Sequence, residues 1–595
     1  MKEGKIKFLI KSIISIVIIY LVYSCLWKYS APRHSRFQTI ADITAMLIQM
    51  SIWIYAMYKD TFEKNKSRYE AIIIGALIGL SLAMILIGVK TLKPTNIGWI
   101  MNETDRRQHF LSWNFFVKDS WNFPLGFYKN WGCPNGMSVI FTDSIPIAAV
   151  FFKMFKLILP PIFQYLGMWL YLSFILMGAF IGIIFNKITD KLTIKVLATL
   201  FFIPTPMMFL RIGGHTSLTS HWLVLWAIYL LINEKYEIKH LISWTILVGL
   251  TVIIHPYFLF MVYIIFIIYI FKGILIDKKL NIKKSISFIG ITVALVFFLM
   301  YVNGYFKVNA QVLDVGFGWF SFNLNGFFNP IGTSQFMNSF LAFSGQYEGF
   351  AYLGFGGILL VFLAVIDLLR NGFDKANAKL YITLIVTCII FTMISLSNNI
   401  TWAGHLISIP IGKTLTKIWT MVRATGRMIW PVWYIMTIYS FFKIIKSSKK
   451  NVTIIVLIIL GLQIWDLSGM YIKTRNEFIY QKKWKNPLKD EFWNKVKKEY
   501  KHICVTEKLG DYGPIAYFAS MNNFDMDYGY FARNPKTLEN KLKENKEAIL
   551  NGTFKTDSLY IVAYNKEFID QVLRSKYKAL IKEIDGYVVF SPRGF

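Results

Sequence analysis

Apolar runs of about 20 residues, separated by short basic connectors, repeat along most of the chain. A hydrocarbon core about 30 Å thick is crossed by about 20 helical residues, so each run predicts a membrane span. Thirteen are predicted: 7–27, 38–57, 71–90, 163–185, 192–210, 220–233, 240–255, 257–272, 285–304, 351–369, 380–397, 426–446 and 452–467. The run 144–159 carries Lys153 and Lys156 and is predicted to lie in the interface as an amphipathic helix. With that segment not crossing, the basic connectors (the N-terminus, 58–70, 186–195, 233–240, 272–284, 370–379 and 443–450) share one side. The loop Gly304–Phe350, whose only basic residue is Lys307, falls on the other. The positive-inside rule then predicts a cytoplasmic N-terminus and an extracytoplasmic C-terminus. The first run starts basic and has no small-residue cleavage site, which predicts a retained helix.

After Leu467 the pattern becomes charged and mixed. Strand-like runs at His502–Thr506, Leu559–Tyr564 and Tyr587–Ser591 alternate with helical patterns at 485–500, 537–549 and 566–582. The expected fold is therefore an all-α polytopic membrane bundle with a small α/β extracytoplasmic C-terminal domain. Residues 1–70 supply two extra N-terminal helices and a loop, 71–467 the core with its external loop 91–145, and 468–595 the terminal domain. No repeat of 20–50 residues is visible, nor the duplicated halves of many transporters.

Composition agrees. Of 595 residues, 55% are apolar and 17% charged, with a mean hydropathy of +0.46; soluble domains average roughly 45–50% and 25%. The formal charge of +31 resides in the connectors, a topology signal and not a nucleic-acid footprint. Four scattered cysteines support neither a disulfide framework nor a zinc site.

Candidate chemistry concentrates in the predicted external segments. Asp105 and His109 are four apart and share a helix face. Asp143 immediately precedes the interfacial run. Either carboxylate can take a proton or hold a cation, although Asp105 also suits a cap or a pair with Arg106, and Thr142-Asp143-Ser144 suits a cap. His215, His221, His255 and His405 map to the same side, each explicable singly as structural, while His255-Pro256 breaks an apolar run. Arg423 and Arg427, four apart, present forks suited to phosphate; lipid headgroups would bind them equally well. Glu348, in Gln346-Tyr347-Glu348-Gly349, is a candidate sugar or metal contact. Asp525-Met526-Asp527 resembles a nucleotide-sugar motif but falls on the outer side, where such donors are absent. P-loop, G-x-S-x-G and H-E-x-x-H motifs are missing.

Thr104-Asp105-Arg-Arg-Gln108-His109, Trp121-Asn-Phe-Pro124-Leu125-Gly126, Phe141-Thr-Asp143-Ser-Ile-Pro146, Gly214-His215, His221-Trp222 and Arg423–Arg427 together resemble a bacterial branch of the GT-C glycosyltransferases. The resemblance covers most of residues 70–470. It implies transfer of a sugar from a polyprenyl-phosphate carrier to a cell-envelope glycan or lipid acceptor, at the outer face of the bacterial cytoplasmic membrane. Asp105 would be the base, with Asp143 a second acid. Arg211, Arg423 and Arg427 would stabilise the departing phosphate, and His109 and His215 would orient it. Some members hold Mg²⁺ or Mn²⁺, for which Asp105, Asp143 and His215 are the expected ligands; others use none. The partners expected are the lipid-linked donor, the acceptor and membrane lipids, and no nucleic acid. A flippase of lipid-linked sugars and a non-catalytic glycan-binding scaffold are the competing readings. The clustering of polar candidates at one face favours the enzyme.

Overall fold

A computed structural model describes residues 2–29, 35–63, 68–309, 316–373, 375–412, 414, 416, 420–448, 451–481 and 483–595. Most of them are helical, and the protein is a multi-pass membrane protein by the length and apolarity of its helices. Seven single helices qualify as spans: Arg36–Phe62, Tyr69–Leu86, Leu166–Phe185, Pro256–Ile276, Ile282–Val302, Lys375–Leu396 and Thr425–Ser447. Two bent pairs, Leu192–Phe202 with Pro206–Ile212 (48°) and Val452–Asp466 with Ser468–Ile479 (56°), raise the number to at most nine among the described residues.

The thirteen expected crossings are therefore too many. Apolar runs alone do not reveal where a helix starts and stops. Trp222–Asn233 has 12 residues and reaches only about 18 Å. Ile238–Ile254 and Phe355–Asn371 have 17 each, about 26 Å. Pro204 and Pro206 break the run at 192–212.

Helix Ile282–Val302 leaves Ile286, Ile291, Phe297 and Phe298 exposed, as a lipid-facing helix does. Elsewhere the bundle is tight. Across the pair Tyr69–Leu86 and Leu166–Phe185, Gly75 and Gly178 face each other, Gly79 faces the Phe174 carbonyl and Gly182 that of Ala71. A Cβ on Gly75 would lie 2.1 Å from the Gly178 carbonyl oxygen, and one on Gly178 1.9 Å from that of Gly75. These are two small-x-x-x-small faces packed backbone to backbone, the contact that substitutes for hydrophobic driving force inside lipid.

The interfacial helix is shorter than expected, Pro146–Lys153, followed by turns. Its lysines do not share one outward face. Lys153 is fully buried, its ammonium 4.0 Å from the Phe116 ring and 4.9 Å from the Trp121 ring, donating to the Ser120 carbonyl. Phe151, Met154, Phe155, Leu157 and Ile158 instead form the exposed apolar row.

The terminal unit holds a five-stranded sheet in the order Asp525–Met526, His502–Val505, Ser558–Val562, Tyr587–Phe590, Ile581–Ile584. The first three strands are parallel and the last two pairings antiparallel. The compositional break at 468 does not mark its start. Helix Ser468–Ile479 packs on the bundle, and its buried Arg475 pairs with buried Asp42 at 2.6 Å. The sheet unit sits on the large loop. Trp131, fully buried, donates to the Tyr528 carbonyl at 2.8 Å, and backbone bonds join Asn130 and Gly132 to Met526.

Candidate functional site

The site residues come from chain breaks at one end of the bundle: the connection between spans Tyr69–Leu86 and Leu166–Phe185, the Gly213-Gly214 turn, the His255-Pro256 break, and the approach to Thr425–Ser447. Helix Thr104–Lys118 is the platform. Asp105 stands in its first turn, and His109 follows one turn later on the same face. Neither Asp105 nor Asp143 is an N-cap; Asp143 closes the short turn Val139–Thr142 at its C-terminal end. The N-cap positions are Glu103 and Ile145, and Arg106 turns to Glu477. Arg107 pairs with Asp511 at 2.9 Å, so both arginines beside Asp105 are engaged elsewhere.

Asp143 is held in a strained turn. Asp143 and Ile145 both have φ of +52°, costly for a non-glycine residue and most so for a β-branched one. The turn is pinned by buried hydroxyls. Ser112 bonds Thr142 at 2.6 Å and Tyr128 at 2.8 Å, Ser144 donates to the His109 carbonyl at 2.9 Å, and Tyr165 donates to the Ser144 carbonyl. The result aims one carboxylate into a ring of imidazoles.

His215 bridges the two aspartates, with Nδ1 3.0 Å from Asp143 Oδ2 and Nε2 3.6 Å from Asp105 Oδ2. His255 Nε2 lies 3.3 Å from Asp143 Oδ1. Because His255 Nδ1 accepts the Tyr257 backbone N–H at 3.2 Å, the neutral ring carries its proton on Nε2, facing the carboxylate. His109 Nε2 is 3.9 Å from Asp143 Oδ2, and both its ring nitrogens are buried without a hydrogen-bond partner. Burial pulls the His109 pKa down to about 4 against the opposing charge of Asp143, so the ring is neutral near pH 7. Burial likewise lowers His255. For Asp143 burial pushes upward, but the His255 charge and hydrogen bonds from His215 and His255 outweigh it and hold the carboxyl well below the carboxylate range.

A second cluster adjoins the first through Tyr257. Arg427 lies over the Tyr257 ring at 4.5 Å, and Tyr257 Oη accepts the Ala424 N–H. Glu348 Oε2 takes both Arg427 Nε and Arg211 Nη2, each at 2.7 Å. All three are buried, leaving a net charge of +1. Glu348 is thus the counter-ion of the arginines. Arg423 is half-buried, with no ion pair among the described residues. The terminal unit closes over this end, with Ala532 N–H bonded to the Phe141 carbonyl at 2.9 Å.

The structure thus gathers Asp105, His109, Asp143 and His215 in one constellation, with Arg211, Glu348 and Arg427 in the adjoining triad. His255, noted in the sequence only as one of several histidines on that side, and Tyr257, which the sequence did not single out, connect the two. The sequence signal for His255 was its place at a proline break of an apolar run. His221 does not join; it stacks on Trp430 at 4.6 Å and bonds Tyr434. His405 lies exposed on the hairpin Asn399–Trp402/His405–Ser408. Asp525 pairs with His502, and buried Asp527 accepts from Val505 N–H and Asn545, so the D-x-D acids serve the sheet.

His109, Asp143 and His215 each offer a ligand atom, all within 4.8 Å of one another. Around a tetrahedral ion, bonds of about 2.0–2.2 Å set donors about 3.3–3.6 Å apart, so the three side chains would have to close by up to about 1 Å to complete a divalent site. The unpartnered nitrogens of His109 suit such an ion. Two imidazoles and a carboxylate favour a borderline first-row ion, or Mn²⁺, over Mg²⁺.

Comparison with known proteins finds no match among curated proteins. The DUF6311 C-terminal domain matches residues 492–592, the sheet unit. Residues 76–468, well over half the chain and carrying every site residue above, match the domain of unknown function DUF6311, and the chain belongs to that family.

Proposed function

We propose that the protein is a GT-C-like membrane glycosyltransferase, moving a sugar from a polyprenyl-phosphate carrier to a cell-envelope glycan or lipid acceptor at the extracytoplasmic face. The observation that carries this reading is the pairing, at one end of the bundle, of a carboxylate–imidazole relay with an arginine cluster of net positive charge. A hydroxyl-to-sugar transfer needs a base on one side of the anomeric carbon and an electrophilic sink for phosphate on the other.

Asp105, half-exposed and 3.6 Å from His215, accepts the acceptor hydroxyl proton as its oxygen attacks the anomeric carbon. The bond from that carbon to the carrier phosphate oxygen breaks, and its electrons leave with the phosphate. General-base help of this kind is worth roughly 10²–10⁴ in rate. Asp143, held by His215 and His255, orients the His215 ring that lies beside Asp105. Arg423 faces the departing phosphate, and the Arg211–Glu348–Arg427 triad adds a fixed positive field. A divalent ion held by His109, His215 and Asp143, with Asp105 adjacent, would supply Lewis-acid stabilisation of phosphate charge. No duplicated halves support the flippase reading.

The test is complementation of a deletion strain followed by glycan analysis at matched expression. Wild type should restore the missing sugar and Asp105→Asn should not. Full restoration by Asp105→Asn would overturn the base assignment. A deletion strain with unchanged glycans would overturn the transferase reading.

A further inference from the structure

A hollow of about 730 Å³ lies away from the site just described, between the segment after span Tyr69–Leu86, the segment before span Leu166–Phe185, and the chain entering the terminal unit. That volume is typical of small-molecule sites. Three lysines face it, Lys90, Lys93 and Lys483, and none has an ion pair among the described residues. Trp484 and Tyr517, edge to face at 4.7 Å, supply an aromatic wall. Gln481 also lines it, with both side-chain amide atoms buried and lacking any partner among the described residues. An amide without its own partners is a donor and an acceptor awaiting a ligand.

A second hollow, of about 360 Å³, shares Asn486 and Tyr517 with the first. It adds Lys489 and Lys497. Its one acid, Asp490, already accepts the Phe492 N–H at 2.8 Å. The two hollows form one elongated groove, basic throughout, with an aromatic wall and amides along it. Its position at the ends of two spans places it at the boundary of the membrane, on the same end of the bundle as Asp105. Phe478, which lines the first hollow, supports the Arg106 guanidinium at 4.9 Å, so the groove abuts the helix that carries Asp105.

We propose that this groove binds an anionic glycan chain, a saccharide polymer bearing phosphate or carboxylate groups. Lysines meet the anionic substituents as point charges, the aromatic wall meets sugar faces, and Gln481 meets hydroxyls. Length distinguishes this ligand from a single anion, because two adjoining hollows carry lysines. That the bound chain is the acceptor rests on the proposed transferase activity; the binding itself does not.

The experiment uses the full-length protein in phosphatidylcholine nanodiscs and a fluorescent hexamer of hexose units joined by phosphodiesters, read by anisotropy. Maltoheptaose and inorganic phosphate serve as competitors. The hexamer should bind. Lys90→Gln/Lys93→Gln/Lys483→Gln should weaken it about tenfold, the sum expected of three exposed charge contacts, with an unchanged melting temperature. Trp484→Ala should weaken it as well, and Asp105→Asn should leave it intact, which separates this proposal from the transferase reading. Binding unaltered by both sets of groove substitutions would overturn the proposal. So would complete displacement by millimolar inorganic phosphate, which would mean isolated anion sites. Loss of hexamer binding in phosphatidylglycerol nanodiscs would assign the groove to lipid headgroups instead and equally overturn it.

Discussion

Glu348→Gln is the most discriminating single change at the arginine cluster. One carboxylate oxygen receives both Arg211 Nη2 and Arg427 Nε at 2.7 Å, and the glutamate side chain is only 8% exposed. Removing its charge raises the cluster from +1 to +2, with both guanidiniums still buried. The two nitrogens can be no farther apart than twice the bond length. Like charges about 5 Å apart at an effective dielectric of about 20 repel by about 3 kcal/mol. Breaking a buried pair costs about 3–5 kcal/mol in measured cases, so the two figures agree. The assay is thermal unfolding in detergent, followed by fluorescence-detected size exclusion. Glu348→Gln should melt well below wild type. Glu348→Gln/Arg427→Gln, which returns the cluster to +1, should recover much of the loss. Acid should narrow the gap. Burial acts against ionisation of Glu348, but the arginine charges outweigh it and hold its pKa well below the ordinary value near 4.5. A carboxyl depressed on folding contributes stability above its unfolded pKa and loses it as pH falls. The wild-type advantage should therefore stand at pH 7 and shrink below about 4.5. A Glu348→Gln protein as stable as wild type at pH 7 would refute the shared-counter-ion account.

Gly178→Ala should destabilise the bundle, because its Cβ would meet the Gly75 carbonyl at 1.9 Å; an unchanged melting temperature would deny that close packing. Trp131→Ala removes a fully buried anchor stacked on Phe115 at 4.9 Å and should cost about 3–5 kcal/mol. Limited proteolysis should then release the terminal unit faster, and equal cleavage rates would count against the docking. His109→Ala should abolish Mn²⁺ or Zn²⁺ binding measured on purified protein, while His255→Ala, one shell removed, should weaken it about 10–100-fold. If the wild-type protein takes up neither ion, the three-residue site has no metal.

Hydropathy alone made the chain a multi-pass membrane protein with a distinct, mixed terminal unit, because burying apolar runs and exposing charged ones requires no knowledge of contacts. It also placed Asp105 and His109 on one helix face, since four residues is close to one turn. The backbone contact of Gly75 with Gly178 came only with the helix pair. Other features depended on residues far apart in sequence. Asp143 and His255 meet across more than a hundred positions, and no local rule assigns a histidine beside a proline to a carboxylate turned by two left-handed residues. Glu348 read as a ligand contact until its two arginines fell on one oxygen. The number of spans was also tertiary, as breaks at Pro204 and Pro206 and helices of 12 and 17 residues turned apparent crossings into shorter pieces. Periodicity reports which side of a helix avoids water. Only packing decides which polar groups, once out of water, must find each other.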